Sequence, residues 1–139
     1  MHKLFLDTDI LLDWIFNREF YSLPAKKIIT HGEENNVLLF MSAISISDIN
    51  YIACKQIHDK IKLRKLISKI LHLITVQPTQ HKQIIDALGS DFRNLEIAFQ
   101  YYSAKEIKGL TAIITRSKKD YATSDIPIYT AAEYMKMIK

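Results

Sequence analysis

The stretch LFLDTDILLD, Leu4 to Asp13, holds the pattern on which the fold turns. Leu4, Phe5 and Leu6 are too densely apolar for a half-exposed strand, so residues 3–6 read as a strand buried on both faces. Asp7 follows at once. Asp7 or Thr8 can cap a helix in which Ile10, Leu11, Trp14 and Ile15 recur at helical spacing. A buried strand turning into a helix through a carboxylate is the opening of an α/β unit. In parallel α/β sheets, sites form outside the carboxyl ends of the strands, which is where Asp7 stands.

The alternation continues downstream. Ser22 and Pro24 open a helix that runs to about Gly32. Residues 37–41 form a second apolar strand, followed by a helix over 42–55. A basic helix spans 60–73, with Ile61, Ile67, Ile70 and Leu71 as its buried stripe. Residues 74–76 form a brief strand closed by Pro78, and Thr79 opens a short helix ending near Gly89. Ser90 and Asp91 cap a longer helix to about Ile107, which Gly109 ends. Residues 112–114 are the next strand, 116–125 a charged loop, and 126–128 a last short strand. Thr130 and Glu133 form the capping box of a terminal helix. Strands alternating with helices predict a mainly parallel sheet covered on both faces, a three-layer α/β/α sandwich. With no repeat, low-complexity tract or linker, residues 1–139 read as one domain.

Composition narrows the function classes. Of 139 residues, 48% are apolar and 24% charged, which is ordinary for a globular protein. Nineteen Lys and Arg against 15 Asp and Glu give a net charge of +4, a mild preference for polyanionic partners. The positive charge clusters at 26–27, 60–69 and 116–119, and each cluster also reads as a solvated helix face. The one cysteine, Cys54, excludes an internal disulfide and a Cys-rich metal site, and its apolar neighbours predict a buried thiol. The histidines show no paired metal spacing, and the scattered glycines exclude a phosphate-binding loop. No apolar run approaches the roughly 20 residues needed to cross a bilayer. Asp7 comes too early for a signal-peptide apolar region. A cytoplasmic protein without membrane contact is expected.

Four carboxylates fall where a site would form. Asp7 ends the first strand, Asp48 lies on the helix after the second, Asp120 lies in the loop after 112–114, and Glu96 lies on the helix feeding that strand. Carboxylates brought together raise one another's pKa. A divalent cation relieves this, and Mg²⁺ or Mn²⁺ prefers oxygen ligands. Such a metal could activate water and bear the charge developing on a phosphodiester. Taken singly, Asp48 and Glu96 read more simply as caps or surface charges. Asp7, directly after a buried strand, is less easily explained so. Trp14, Tyr101 and Tyr102 are candidates for stacking on RNA bases, although Trp14 and at least one tyrosine sit at core spacing.

Four stretches together resemble the PIN-domain family, particularly toxins of the VapC type. They are LFLDTDILLD (4–13), MSAISISDINYI (41–52), SDFRNLEIAFQYYSA (90–104) and IITRSKKDY (113–121). The resemblance covers essentially the whole chain and implies a metal-dependent ribonuclease with a carboxylate-lined pocket. It makes Asp7 and Asp120 main metal ligands, with Asp48 and Glu96 completing the site and Thr115 ordering the cluster. Arg116, Lys118 and Lys119 border the pocket and would neutralise phosphates. Asp9 replaces the family's usual Asn. The third stretch departs from the family's "SDFxDhEDAhQ": its two later aspartates are Asn94 and Ile97 here, and only Glu96 is kept. Asn can offer a neutral carbonyl oxygen and Ile nothing, so metal affinity should fall. The resemblance further implies RNA as substrate, a small antitoxin as partner and a homodimer. The rival reading is a catalytically impaired PIN module that binds RNA or a protein without hydrolysis. The opening Asp7-Thr8-Asp9 also resembles haloacid-dehalogenase phosphatases, but no acidic pair follows a late strand as that chemistry requires.

Overall fold

A computed structural model describes residues 2–138. The chain runs β1 (Lys3–Leu6), α1 (Thr8–Ile15), α2 (Ser22–Glu34), β2 (Leu38–Ser42), α3 (Ala43–Ala53), α4 (Lys60–Leu73) and β3 (Thr75–Gln77). It continues through α5 (His81–Leu88), α6 (Leu95–Ala104), β4 (Ala112–Ile114), a 3-10 turn (Lys118–Tyr121), β5 (Ile128–Tyr129) and α7 (Ala131–Met137). The strands form one sheet in the order β3-β2-β1-β4-β5, every pairing parallel. Phe5 in the central strand pairs with Phe40 on one side and Ile113 on the other.

Alternation along β1 separates two cores. Leu4 and Leu6 enter one cluster with Ile10, Leu11, Ile28, Ile49 and Ile70, from α1, α2, α3 and α4. Phe5 enters the other with Ile97, Tyr101 and Ala104 of α6. Leu4, Phe5 and Leu6 are all completely buried, which is why the strand reads as a continuous apolar run. α5 packs on α6. Helices thus cover both faces of the sheet, the α/β/α sandwich that the alternation of elements predicts. Among the described residues, no helix is long and apolar enough to cross a membrane.

Several local expectations are corrected. α2 continues past Gly32 to Glu34, and Ser22 is its first helical residue, with Tyr21 at the cap position. α5 begins at His81, not at Thr79, because Gln80 takes the cap position and its N–H donates to Gln83 Oε1. Thr79 instead reaches Ser103 Oγ at 2.7 Å. α6 begins at Leu95, capped by Asn94 rather than by Ser90 or Asp91. Cys54 is exposed, not buried, since α3 turns its apolar side away from it. Trp14 is half-buried against the first core, Tyr101 is buried and Tyr102 half-buried. The Thr130–Glu133 capping box forms as expected.

Gly32 lies within α2 because the helix passes close over β2 there. A methyl group at Gly32 would meet Leu39 Cδ1 at 2.7 Å and Cγ at 2.9 Å. Ala favours a helix interior over Gly by about 1 kcal/mol, whereas overpacking a core costs about 1–3 kcal/mol. The clash includes the branched Cγ of buried Leu39, so overpacking wins. Gly32→Ala is expected to lower unfolding stability by roughly 1 kcal/mol in urea titrations; a stabilised variant would show that Leu39 can move aside.

Candidate functional site

The sheet changes direction of growth between β1 and β4: the chain builds outward through β2 and β3, then crosses back to place β4 on β1's free side. Ligand sites in open α/β sheets form at such a switch, beyond the carboxyl ends of the strands. Asp7 ends β1 and Thr115 follows β4, so both stand at the switch.

Asp7 has the backbone of a helix cap but not the side-chain bonding of one. Its carbonyl accepts the Ile10 N–H at 3.0 Å, and its own N–H extends the ladder to the Ile114 carbonyl at 3.0 Å. No cap bond is made by its carboxylate. Thr115 Oγ1 donates to Asp7 Oδ2 at 2.7 Å, and the Tyr121 hydroxyl donates at 3.3 Å. Gln100 hydrogen-bonds the same carboxylate and accepts the Thr8 N–H at 3.3 Å through Oε1. Asp7 is 2% exposed. Burial pushes its carboxyl above the usual range, and these hydrogen bonds partly offset the push.

Asp7 lines a pocket of about 370 Å³ together with Asp9, Asp48, Glu96 and Asp120. Among the described residues, no Lys or Arg lines it. Asp48 arrives through α3, whose start is tied down by Ser42 and Ser45. Ser42 Oγ accepts the Ser45 N–H at 3.1 Å, and Ser45 Oγ meets Thr8 Oγ1 at 2.7 Å. Asp48 lies one turn further on. Glu96, largely exposed, is raised to about 7, first by its hydrogen bond with Asp48, then by burial and by the charges of Asp48 and Asp7.

Asp9 also belongs to the cluster. It is raised to about 7, first by burial and then by the charge of Asp7. Ser117 Oγ donates to its Oδ2 at 3.1 Å, while its buried Oδ1 has no partner. An orphaned buried carboxylate oxygen facing other carboxylates is the donor chemistry that a hard cation satisfies. Among the described residues, however, no three acidic side chains converge tightly enough to make a closed chelate as they stand. The residues fit a cation held from several sides of an open pocket, with water completing its shell, as Mg²⁺ commonly is.

Asn94 and Ile97 line the same pocket. Asn94 Oδ1 accepts the Ile97 N–H at 3.1 Å as the α6 cap. One lone pair of that oxygen is therefore engaged by the cap. Ile97 is buried against Phe5 and Tyr101 in the second core.

The three cations expected at the rim differ sharply. Arg116 is held by buried Asp13, Nε to Oδ2 at 2.9 Å and a second bond to Oδ1 at 3.1 Å, with its guanidinium 4.1 Å from the Tyr21 ring centroid. Lys118 contacts both carboxylate oxygens of Glu133, at 3.0 and 3.1 Å. Lys119 lies in an adjoining cleft with Arg93, and that cleft shares Asp120 with the pocket. Sequence reasoning missed the contributions of Gln100, Ser117 and Tyr121. The available signal was membership of the family-like stretches: Gln100 stands at the last position of the family's SDFxDhEDAhQ pattern, and Ser117 and Tyr121 lie in the fourth stretch.

A family model described as PIN domain matches residues 3–119. Three solved structures are similar in fold. A toxin–antitoxin complex from Klebsiella pneumoniae has a TM-score of 0.65 at 22% identity, covering 92% of this chain and 97% of that one. VapBC-1 from nontypeable Haemophilus influenzae has a TM-score of 0.64 at 17% identity, covering 94% and 98%. VapBC2 from Rickettsia felis, bound to a DNA fragment from its promoter, has a TM-score of 0.58 at 12% identity, covering 92% and 98%. No curated protein sequence matches the chain.

The raised carboxyls make stability depend on pH in a defined direction. Asp9 binds a proton in the folded state up to about pH 7, and in the unfolded state only near its ordinary 3.8. The folded protein therefore binds more protons between these values, and stability falls as pH rises through that window. Glu96 acts in the same sense, weakly because of its exposure. In a chelating buffer, the melting temperature is expected to fall from pH 5 to pH 7.5, and Asp9→Asn should flatten the slope. A melting temperature that rises over this range would refute the placement of the carboxylates. Arg116→Ala, which leaves Asp13 buried without its main partner, should cost about 3 kcal/mol in denaturant unfolding.

Proposed function

The chain belongs to the PIN-domain family, and on that premise we propose that it is a metal-dependent endoribonuclease of the VapC toxin type. The observation that carries this reading is the buried Asp7 carboxylate at the sheet's switch point, opening onto a pocket with four further carboxylates and, among the described residues, no Lys or Arg. Asp7 and Asp120 would hold Mg²⁺ or Mn²⁺, with Asp48, Glu96 and Asp9 completing the set directly or through water. Bound there, the ion would supply an acidified water and offset negative charge on the phosphodiester. The chain's own groups do the rest. Thr115 and Tyr121 fix Asp7 by donating to Oδ2. Glu96, hydrogen-bonded with Asp48 on the pocket wall, would accept the proton of the attacking water.

The substrate would be RNA. By analogy with the toxin–antitoxin complexes of similar fold, the partner would be a small antitoxin, with a second copy of the chain forming a homodimer. The protein would work in the cytoplasm as one domain. A second reading, a PIN module that binds RNA or a protein without hydrolysis, is favoured by one observation. Ile97 is part of the core and Asn94 spends its oxygen on a helix cap. Two positions on the pocket wall thus serve the fold and supply no charge.

Calorimetric titration with Mn²⁺ decides between them. Wild type is expected to release or absorb metal-linked heat at up to millimolar Mn²⁺, and Asp7→Asn to lose it; no heat in wild type would leave only the non-hydrolytic module. Asn94→Asp should raise Mn²⁺ affinity with little change in stability, because Asp also caps helices well. Ile97→Asp, by contrast, would bury a carboxylate in the core and should destabilise the protein by several kcal/mol. If Asn94→Asp leaves Mn²⁺ affinity unchanged, position 94 does not face the ion.

A further inference from the structure

Two features flank the acidic pocket without serving the cores or the metal-holding set. The first is Tyr51. It lies three residues after Asp48 on α3, forms part of the pocket wall and is 63% exposed. It belongs to neither hydrophobic core. The Lys55 ammonium sits 4.1 Å from its ring centroid, which steadies the ring and adds positive charge beside it. Single exposed aromatics are ordinary on protein surfaces. An exposed ring on the wall of a pocket that also holds five carboxylates is a different matter, because it offers a flat face for stacking beside the acidic cluster.

The second feature is the adjoining cleft of about 410 Å³, which shares Asp120 with the pocket and carries Arg93 and Lys119. Arg116 and Lys118 are committed to Asp13 and Glu133. Arg93 and Lys119, among the described residues, make no ion pair or side-chain hydrogen bond. Phe92 backs the cleft, its ring packed on Tyr101, Tyr102 and Tyr121. Asp91 also lines the cleft, so the attraction there is two point contacts rather than a broad positive trough.

We propose that a single RNA strand crosses the acidic pocket, one base stacked on Tyr51 and a neighbouring phosphate held by Lys119 and Arg93. The inference rests on the nuclease reading for its substrate class. It moves phosphate binding away from Arg116 and Lys118 and adds a stacking residue. An unpaired strand is specified because only a base freed from its own helix exposes a face to the ring.

The two contacts leave different signatures. Stacking is largely independent of salt, whereas each phosphate contact contributes about 0.7 to the slope of log affinity against log salt for a single strand. Fluorescence anisotropy of a labelled single-stranded oligoribonucleotide of mixed sequence measures both, on the full chain carrying Asp7→Asn so that turnover does not interfere. Tyr51→Ala is expected to weaken binding by about five- to a hundred-fold at unchanged salt slope, with Tyr51→Phe restoring it. Lys119→Ala and Arg93→Ala should each lower the slope by about 0.7, and Lys118→Ala should leave it unchanged. These side chains are exposed, and circular dichroism checks that each variant is folded. The proposal is overturned if Tyr51→Ala binds like its parent, if Lys118→Ala loses as much slope as Lys119→Ala, or if the parent does not bind the strand. Because no step requires cleavage, failure of the nuclease reading in the Mn²⁺ titration is seen separately.

Discussion

The constraint from which the rest follows is the burial of one carboxylate, Asp7, at the junction of β1 and α1. Its backbone is fully used, extending the sheet to β4 and starting the helix. Its side chain is spared the capping role that an aspartate at this position would usually take. The carboxylate is instead held by Thr115, Tyr121 and Gln100, from three separate segments. Desolvation still outweighs these bonds and raises its pKa. A nearby positive charge would favour its ionised form, and among the described residues no Lys or Arg lines the pocket.

The neighbouring positive charge is consumed elsewhere. Asp13, four residues after Asp9 on α1, is buried and takes Arg116 bidentately across 103 residues of sequence. That pair anchors the loop after β4 to the end of α1. The same loop presents Ser117 to Asp9 and carries Asp120 to the pocket rim. An arginine that sequence reading would assign to phosphate thus fixes the geometry of the acidic cluster, and desolvation of Asp13 makes the pairing costly to break.

Asn94 and Ile97 show the fold and the site drawing on the same positions. Residue 94 must cap α6, and residue 97 must fill the space beside Phe5 and Tyr101. An Asp at 94 would satisfy both the cap and a metal. An Asp at 97 would have to sit in the core. The two departures from the family pattern are therefore unequal: one withholds a charge the helix could carry without loss, and the other secures packing between α6 and the sheet.

Much of the architecture was legible locally. Runs such as Leu4 to Leu6 and Ala112 to Ile114 announce buried strands, helical spacing marks the intervening segments, and the alternation dictates a parallel sheet. The placement of Asp7, Asp48, Glu96 and Asp120 relative to strand ends was legible for the same reason. Errors fell where neighbouring residues competed for one role, as Asn94 with Ser90 and Asp91 for the α6 cap, or where helix rotation decided exposure, as at Cys54. The partner of each charge was decided only by tertiary structure. Arg116 finds Asp13, Lys118 finds Glu133, and Tyr51 is left open on the pocket wall because of distances across the sheet and between layers. Sequence spacing sets which residues lie near a strand end; the packing of distant segments sets which of them remain free to meet a ligand.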